Sequence, residues 1–173
     1  MRNRETSPGA LGVLMLDNEY PPLGGGTGVV NQRILEHWAA GGDVDVDLVT
    51  SSRSRNRVER EDLSPRIRIH RLPVNNRNIH HSSSRELLTY AWRGWRFARR
   101  LAMQQHYDVC LAWAGVPAGG IAMWLHDELS LPYIVSLQGP DVPGFEQRYR
   151  WHYAMLTPFI RRVWRRAARI TAC

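Results

Sequence analysis

Short apolar runs alternate with longer segments of helical periodicity along this chain, and the alternation constrains the fold more than any other feature. Several of the runs are apolar at every position, as is typical of parallel strands covered on both faces. The sequence therefore predicts an α/β fold, a Rossmann-like, doubly wound, mostly parallel sheet with helices on both faces. We expect strands at Leu11 to Leu16, Val44 to Thr50, Ile67 to Leu72, Val109 to Trp113, Tyr133 to Leu137 and Ile170 to Cys173.

The predicted helices have recognisable ends. Gly41 and Gly42 end the helix after the first strand, and Ser83 with Glu86 has the spacing of a capping box that begins the next one. A third helix is expected over 115–125, and Thr157-Pro158 suits an N-cap and first turn that would divide 146–168 into two helices. Helical spacing predicts two apolar stripes: Val30, Ile34 and Trp38, and then Leu88, Trp92, Trp95 and Leu101 or Ala102.

The length of 173 residues favours one domain. We expect a disordered polar tail over 1–9 and a folded domain over 10–173, with a mobile Arg/Ser-rich loop over 51–60. Two cysteines do not make a disulfide framework, and no apolar stretch near the N-terminus is long enough for a signal peptide. These features favour a cytoplasmic protein.

All 23 basic residues are arginines, which gives a formal net charge of +7. This charge favours phosphates, nucleic acid or anionic lipid as partners. Nucleic acid is the least favoured, because the arginines are spread over several helices without a recognition motif. The lysine-free composition also suggests a GC-rich, bacterial genome.

A Gly-rich loop, defined as residues 24–28, follows the first strand and leads directly into a helix. Backbone amides at such a helix start can face an anion without obstruction, so a phosphate-bearing ligand is the natural hypothesis. A dinucleotide fingerprint would need glycine at position 29, which is Val29, and a P-loop would need a lysine. A tight turn that requires positive φ angles remains the structural alternative. The loop consists of Gly24, Gly25, Gly26, Thr27 and Gly28.

Two other features could form the same site. Gln138, Gly139 and Asp141 follow the fifth predicted strand, and Glu19 lies in the loop after the first. In open parallel sheets, ligands bind where the strands end, so these residues are candidates for lining a cleft. Asp141 could equally cap a turn. His80 and His81 have no third ligand nearby, so we expect loop residues and no metal site.

The order of these motifs resembles the N-terminal, acceptor-side domain of family 4 glycosyltransferases of the GT-B fold. The resemblance rests on the first strand followed by Tyr20-Pro21-Pro22 and the Gly-rich loop, and on Gln138-Gly139-Pro140-Asp141, which is similar to a His-Gly-x-Asp segment of that family. The entry Tyr107-Asp108-Val109 and the Arg-rich helix that leads into 167–172 follow the same order. The similarity spans about residues 10–173 and implies one half of a GT-B fold.

The resemblance implies transfer of a sugar from a nucleotide-sugar donor to a glycan or lipid-linked acceptor, with no cofactor and no bound metal. The Gly-rich loop would then hold the sugar diphosphate, while Glu19, Gln138, Gly139 and Asp141 would line the cleft. Gln138 stands where many members carry histidine, and an amide binds a hydroxyl but does not titrate near neutrality.

The donor-binding C-terminal domain of such enzymes is expected beyond residue 173, so the chain alone would be an inactive fragment. The alternative is a non-catalytic nucleotide- or membrane-surface-binding module that works with a partner chain.

Two helices carry cationic faces beside apolar stripes. One hypothesis is peripheral docking on anionic lipid at the inner face of the membrane. In the other, the stripes belong to the core and the charges are only solvated. The candidate lipid-contacting residues are Arg93, Arg96, Arg100, Arg161, Arg162 and Arg165.

Overall fold

The computed structural model describes residues 9–139, 142 and 150–172, and for 150–154 it describes the backbone alone. The strands are β1 (Leu11–Leu16), β2 (Val44–Ser51), β3 (Glu59–Ser64), β4 (Ile67–Leu72), β5 (Val109–Trp113), β6 (Tyr133–Leu137) and β7 (Arg169–Ala172). The helices are α1 (Gly26–Gly41), α2 (Ser84–Gln104), α3 (Ala118–Leu129) and α4 (Arg150–Arg166). Residues 1–8 of the expected disordered tail, Asp141 and Cys173 lie outside the described residues.

The strands form one sheet in the order β3-β4-β2-β1-β5-β6-β7. Every neighbouring pair is parallel except β3 with β4. The predicted fold class is therefore confirmed, and the six expected strands lie within a residue or two of their predicted bounds. The antiparallel edge strand β3 was not predicted, because its Glu59–Ser64 sequence is polar and largely exposed and an edge strand needs no apolar face.

Side chains of the central strand β1 point alternately into two cores. Leu14 and Leu16 belong to the core beneath α2, α3 and α4. Val13 and Met15 belong to a second core on the opposite face, with Leu35 of α1. One helix thus covers one face of the sheet and three cover the other, as doubly wound sheets require.

The buried faces of α1 and α2 match the predicted stripes in part: Ile34 and Trp38 of α1 pack against one core, and Trp95 and Leu101 of α2 pack against the other. In α1 the buried positions are Gly28, Asn31 and Leu35, while Val30 is exposed. In α2 the stripe prediction was wrong for Leu88 and Trp92, which are 72% and 58% exposed. Small residues explain the rotation of α2, because they let its backbone approach the core closely. The buried positions of α2 are Glu86, Tyr90, Gly94, Ala98 and Leu101.

The observed ends of the helices agree with the predicted ends more closely than the buried faces agree with the predicted stripes. Ser83 and Glu86 form the predicted capping box, with the Ser83 amide donating to the Glu86 carboxylate at 2.7 Å. Gly42 ends α1 in the left-handed conformation at φ +77°. The division suggested at Thr157-Pro158 does not occur, since α4 continues through Pro158.

A buried carboxylate, Asp47 of β2, joins two strands to the end of α2. It accepts hydrogen bonds from Gln105 at 2.7 Å and Tyr107 at 2.8 Å, and it contacts His70 and Arg68. Burial acts to raise the pKa of Asp47, but the bonds from His70 and Arg68 and the charge of Arg68 outweigh it and lower the pKa to about 2. Asp47 is therefore ionised at neutral pH and balances the charge of Arg68.

Substitution Asp47→Asn should destabilise the protein by about 3 kcal/mol, because it leaves the largely buried Arg68 without its counter-charge. Urea unfolding followed by circular dichroism at pH 7 measures this loss. The control is Asp62→Asn, whose partner Arg60 is half-exposed, and it should cost less than about 1 kcal/mol. Equal losses in the two variants would contradict the role assigned to Asp47.

Candidate functional site

The strand order reverses direction between β1 and β5, which pair side by side at the centre of the sheet. A crevice outside the carboxyl ends of the strands at such a point is the usual ligand site of open α/β sheets. The loops that follow β1 and β5 border it. Ala114, directly after β5, has φ +81°, a conformation that non-glycine residues rarely adopt and that is common at functional sites.

Internal hydrogen bonds hold the start of the Gly-rich loop. The Gly24 amide donates to the Ile79 carbonyl at 2.6 Å, and the Gly25 amide donates to the Glu19 carboxylate. These two amides therefore stabilise the loop. The amides that remain for an anion are those of Gly26, Thr27 and Gly28, in the first turn of α1, where a helix supplies no carbonyl partner. No side chain caps this end of α1, and no acidic residue lies in its first turn.

The four glycines of the loop have different surroundings. Gly24 has φ +92°, and a Cβ there would lie 2.6 Å from the Glu19 Cβ. A Cβ on Gly28 would approach the Glu19 and Leu23 carbonyls at 3.1 and 3.2 Å. Gly25 and Gly26, in contrast, face open space. The turn requires glycine at 24 and close packing favours it at 28, whereas the two middle glycines keep the outside of the loop clear.

A cavity of about 350 Å³ lies beside the exposed part of the loop; we call it the α1 cavity. Gly26 and Thr27 line it from the first turn of α1, and Gln138 lines it from the end of β6. The structure thus brings these three candidate residues to one place. Trp113 and Ser136 also line this cavity but were not predicted from the sequence. Their positions at the ends of predicted strands could have indicated them.

Trp113 is 7% exposed, and its indole N–H has no hydrogen-bond partner in the described part of the chain. A buried donor without a partner is uncommon in folded proteins. On the neighbouring strand, where Ser136 pairs with Trp113, the Gln138 amide donates to the Ser136 hydroxyl at 2.9 Å. Gly139 follows with φ +98°, and its carbonyl accepts from the Val142 amide at 2.8 Å. The α1 cavity is thus bordered by amide and indole donors.

Glu19 lies beneath the Gly-rich loop. Burial raises the pKa of its carboxyl, while the bond from the Gly25 amide and the nearby His81 oppose that effect. Glu19 therefore stands between the loop and the 73–83 segment that carries His81, in a position to hold the loop in shape.

Asp17 fixes the end of β1 to α1, a role that sequence reasoning missed. Its carboxyl accepts from the Glu19 amide at 2.9 Å and contacts the Asn31 side chain. Burial raises the pKa of Asp17 to about 8, against the lowering effect of these two hydrogen bonds. At neutral pH the carboxyl is largely protonated, and a neutral group joins strand to helix beneath the candidate site.

The six arginines proposed for lipid contact are all exposed but do not form one face. Arg93 turns toward the 73–83 segment and donates to the Pro73 carbonyl. Arg96 stacks over Trp92, with its guanidinium carbon 5.6 Å from the ring centroid. Arg162 lies three residues after Phe159 and so shares its helix face, while Arg161 and Arg165 lie beside it.

An aromatic ridge, defined as Trp92, Trp95, Trp124 and Phe159, crosses α2, α3 and α4. Successive ring centroids are 5.5, 6.5 and 6.3 Å apart. Trp92 and Trp124 are 58% and 41% exposed. Large apolar side chains contiguous on a surface mark an interaction site more often than scattered ones do.

Within the described residues, no three His, Cys, Asp or Glu side chains are grouped closely enough to hold a metal ion. None of the described helices combines the length and the apolar character that crossing a membrane requires.

Comparison with known proteins identifies related sequences and folds. The family model for the glycosyl transferase 4-like domain matches residues 25–173. Sucrose-phosphate synthase from Thermosynechococcus elongatus has a similar fold, with a TM-score of 0.61 and 16% identity over 94% of this chain and 47% of that one. A shorter chain of the same synthase matches with a TM-score of 0.54 and 14% identity, over 93% of this chain and 87% of that one. This chain therefore spans about half the length of the longer structure. No curated protein sequence matches it significantly.

The protonated Asp17 should make the protein less stable as pH rises from about 5 to 8. The carboxyl keeps its proton up to pH about 8 in the folded state, whereas it releases the proton near pH 3.8 in the unfolded chain. Between these values the free energy of unfolding therefore falls by up to about 1.4 kcal/mol per pH unit because of this group. Urea unfolding of the wild type and of Asp17→Asn at several pH values measures the effect. The stability of Asp17→Asn relative to wild type should increase with pH, and a constant difference would contradict a raised pKa.

Proposed function

We propose that this chain, which belongs to the glycosyl transferase 4-like family, forms one wall of an active site that transfers a sugar from a nucleotide-sugar donor to an acceptor. In this reaction the bond between the sugar C1 and the diphosphate oxygen breaks, and the nucleoside diphosphate leaves with the electron pair. A bond forms between C1 and the acceptor hydroxyl oxygen, whose proton is released. Catalysis therefore depends on stabilising negative charge as it develops on the diphosphate.

The observation that carries this proposal is the open, uncapped start of α1 at the point where the strand order reverses. Gly25 and Gly26 leave its outside clear, and the first-turn amides add to the positive end of the helix dipole. A diphosphate in the α1 cavity would also meet the unpartnered Trp113 N–H. Gln138, on the same cavity, would bind a hydroxyl and leave proton transfer to another group.

A second α/β domain would supply the other wall of the cleft, because the described residues that line the α1 cavity all belong to α1, to the strands of this sheet or to the loop after β6. The similarity to half of a longer synthase chain supports this arrangement. The nucleotide would then contact mainly the second domain, and this chain would contact the diphosphate, the transferred sugar and the acceptor.

Substitution Gly26→Leu should block donor binding while the fold is retained, because its side chain enters the space that the diphosphate would occupy. Gly41→Leu is the matched control: it also faces open space but lies at the opposite end of α1. Saturation-transfer NMR with UDP-glucose and GDP-mannose detects weak binding to the chain. We expect signal loss of about tenfold for Gly26→Leu alone. Similar donor binding by both variants, or none by the wild type, would contradict the proposal.

The aromatic ridge supports a second function, docking on an anionic membrane surface at the inner leaflet. Trp and Phe side chains are favoured at the boundary between headgroups and acyl chains. Arg96 beside Trp92 and Arg162 beside Phe159 supply cations that complement anionic headgroups. The acidic neighbours on α3 are already paired, Glu128 with Arg99 and Asp127 with Arg166. The ridge thus combines apolar area with positive charge, as an interfacial contact needs.

The double substitution Trp92→Ser and Trp124→Ser should lower binding to phosphatidylglycerol-containing vesicles by about thirtyfold, since each of the two buried side chains contributes on the order of 1 kcal/mol. Flotation with phosphatidylglycerol and with pure phosphatidylcholine vesicles measures it. Met103→Ser is the control, because Met103 is 61% exposed on the same helix outside the ridge. Equal flotation of the three proteins, or no flotation with anionic vesicles, would exclude the ridge as a membrane contact.

A further inference from the structure

A second cavity, of about 730 Å³, lies beside the segment that follows β4. Its walls come from Arg55, from the 73–83 segment after β4 and from the first three turns of α2. The bond from the Gly24 amide to the Ile79 carbonyl joins the Gly-rich loop to this same segment. His81, which interacts with Glu19, also lines the cavity. The cavity is therefore adjacent to the proposed donor site and at the same edge of the sheet.

Four arginines line this cavity, and we call it the arginine cavity: Arg55, Arg77, Arg85 and Arg93. They come from three separate segments, so the fold and not a local charge run brings them together. Glu86 is the acidic residue among the described lining side chains, which leaves four guanidinium charges against one carboxylate, a net +3. A neutral ligand would leave this charge uncompensated.

Glu86 offsets one of the four guanidinium charges, and hydrogen bonds from neutral groups fix its carboxylate in the cavity wall. It accepts from the Ser83 amide and hydroxyl, both at 2.7 Å, and from the Arg77 amide at 2.8 Å. Burial acts to raise the pKa of Glu86, yet these bonds outweigh it and lower the pKa. The carboxylate forms part of the cavity wall and caps the N-terminus of α2.

Two of the arginines are held in place at the rim. Arg55 donates to the Asn75 side chain at 3.1 Å, and Arg93 donates to the Pro73 carbonyl. Arg77 and Arg85 have exposed side chains, and Arg85 lies in the first turn of α2, where the helix dipole adds positive potential. Several guanidinium groups around one cavity suit a phosphate group, because a guanidinium binds phosphate through two parallel N–H donors.

We infer that the arginine cavity binds the phosphate group of the acceptor, so that the acceptor is a phosphate ester and not a neutral glycan. This inference rests on the proposed glycosyl transfer, since it assigns the second substrate to the cavity beside the donor site. The volume suits a small ligand of hexose phosphate size. The phosphate belongs either to a soluble sugar phosphate or to a lipid whose apolar part remains in the membrane.

Calorimetric titration of the chain with glucose 6-phosphate, with glucose and with inorganic phosphate tests the soluble form of the acceptor. At about 0.15 M salt, where diffuse attraction is screened, glucose 6-phosphate and inorganic phosphate should bind and glucose should not. The double variant Arg77→Gln and Arg85→Gln should weaken phosphate binding by about tenfold or more. The control, Arg33→Gln and Arg60→Gln, removes the same charge from exposed sites outside the cavity and outside the proposed membrane contact and should stay within about twofold.

Vesicles containing phosphatidic acid test the lipid form. Flotation that depends on Arg77 and Arg85, without binding of glucose 6-phosphate, assigns the phosphate to a lipid and supports the inference. Equal weakening in the test and control variants, or no binding of any phosphate probe, overturns it. UDP-glucose binding is measured in parallel. The variant Arg77→Gln with Arg85→Gln leaves the α1 cavity intact, and Gly26→Leu leaves the arginine cavity intact. A failure of this inference is therefore distinguishable from a failure of the proposed function.

Discussion

β1 lies at the centre of the sheet, paired with β2 on one side and with β5 on the other, and this pairing positions both the covering helices and the crevice. Chain connections leave β1 toward one face of the sheet and leave β5 toward the opposite face, because parallel crossovers have a fixed hand. The loops after these strands therefore diverge, and a crevice stays open above their ends. Asp17 and Asn31 then fix how closely α1 approaches that crevice.

The Gly-rich loop illustrates how one sequence motif serves two physical purposes. Gly24 and Gly28 let the chain turn and pass close to the Glu19 and Leu23 backbone, so their role is in the fold. Gly25 and Gly26 have no neighbour that requires them to be small, and an exposed helix start without side chains is unfavourable for stability compared with a capped one. A ligand that needs the first-turn amides would account for that arrangement.

The sequence predicts the parts of this protein that depend on local periodicity. Buried strands and helix ends follow from apolar runs, capping residues and glycines, and the convergence of Gly26 with Gln138 follows from the rule that parallel strands end at one edge. The edge strand β3 carries no apolar pattern, and the exposure of Trp92 depends on how Gly94 and Ala98 rotate α2 against Ile121. Arg55, Arg77, Arg85 and Arg93 meet through tertiary folding, which their spacing in the sequence does not indicate.

The proposed site combines two cavities that differ in the groups they offer to an anion. The α1 cavity offers amide and indole donors but no arginine among its described lining residues, whereas the arginine cavity carries a net +3. A diphosphate that becomes a leaving group should be held by directional donors matched to its developing charge. A phosphate that only anchors a substrate can be held by full cations, whose attraction is the same before and after transfer. Glu19 interacts with Gly25 of the loop and with His81 of the arginine cavity, so it would hold the two anion sites at a fixed separation.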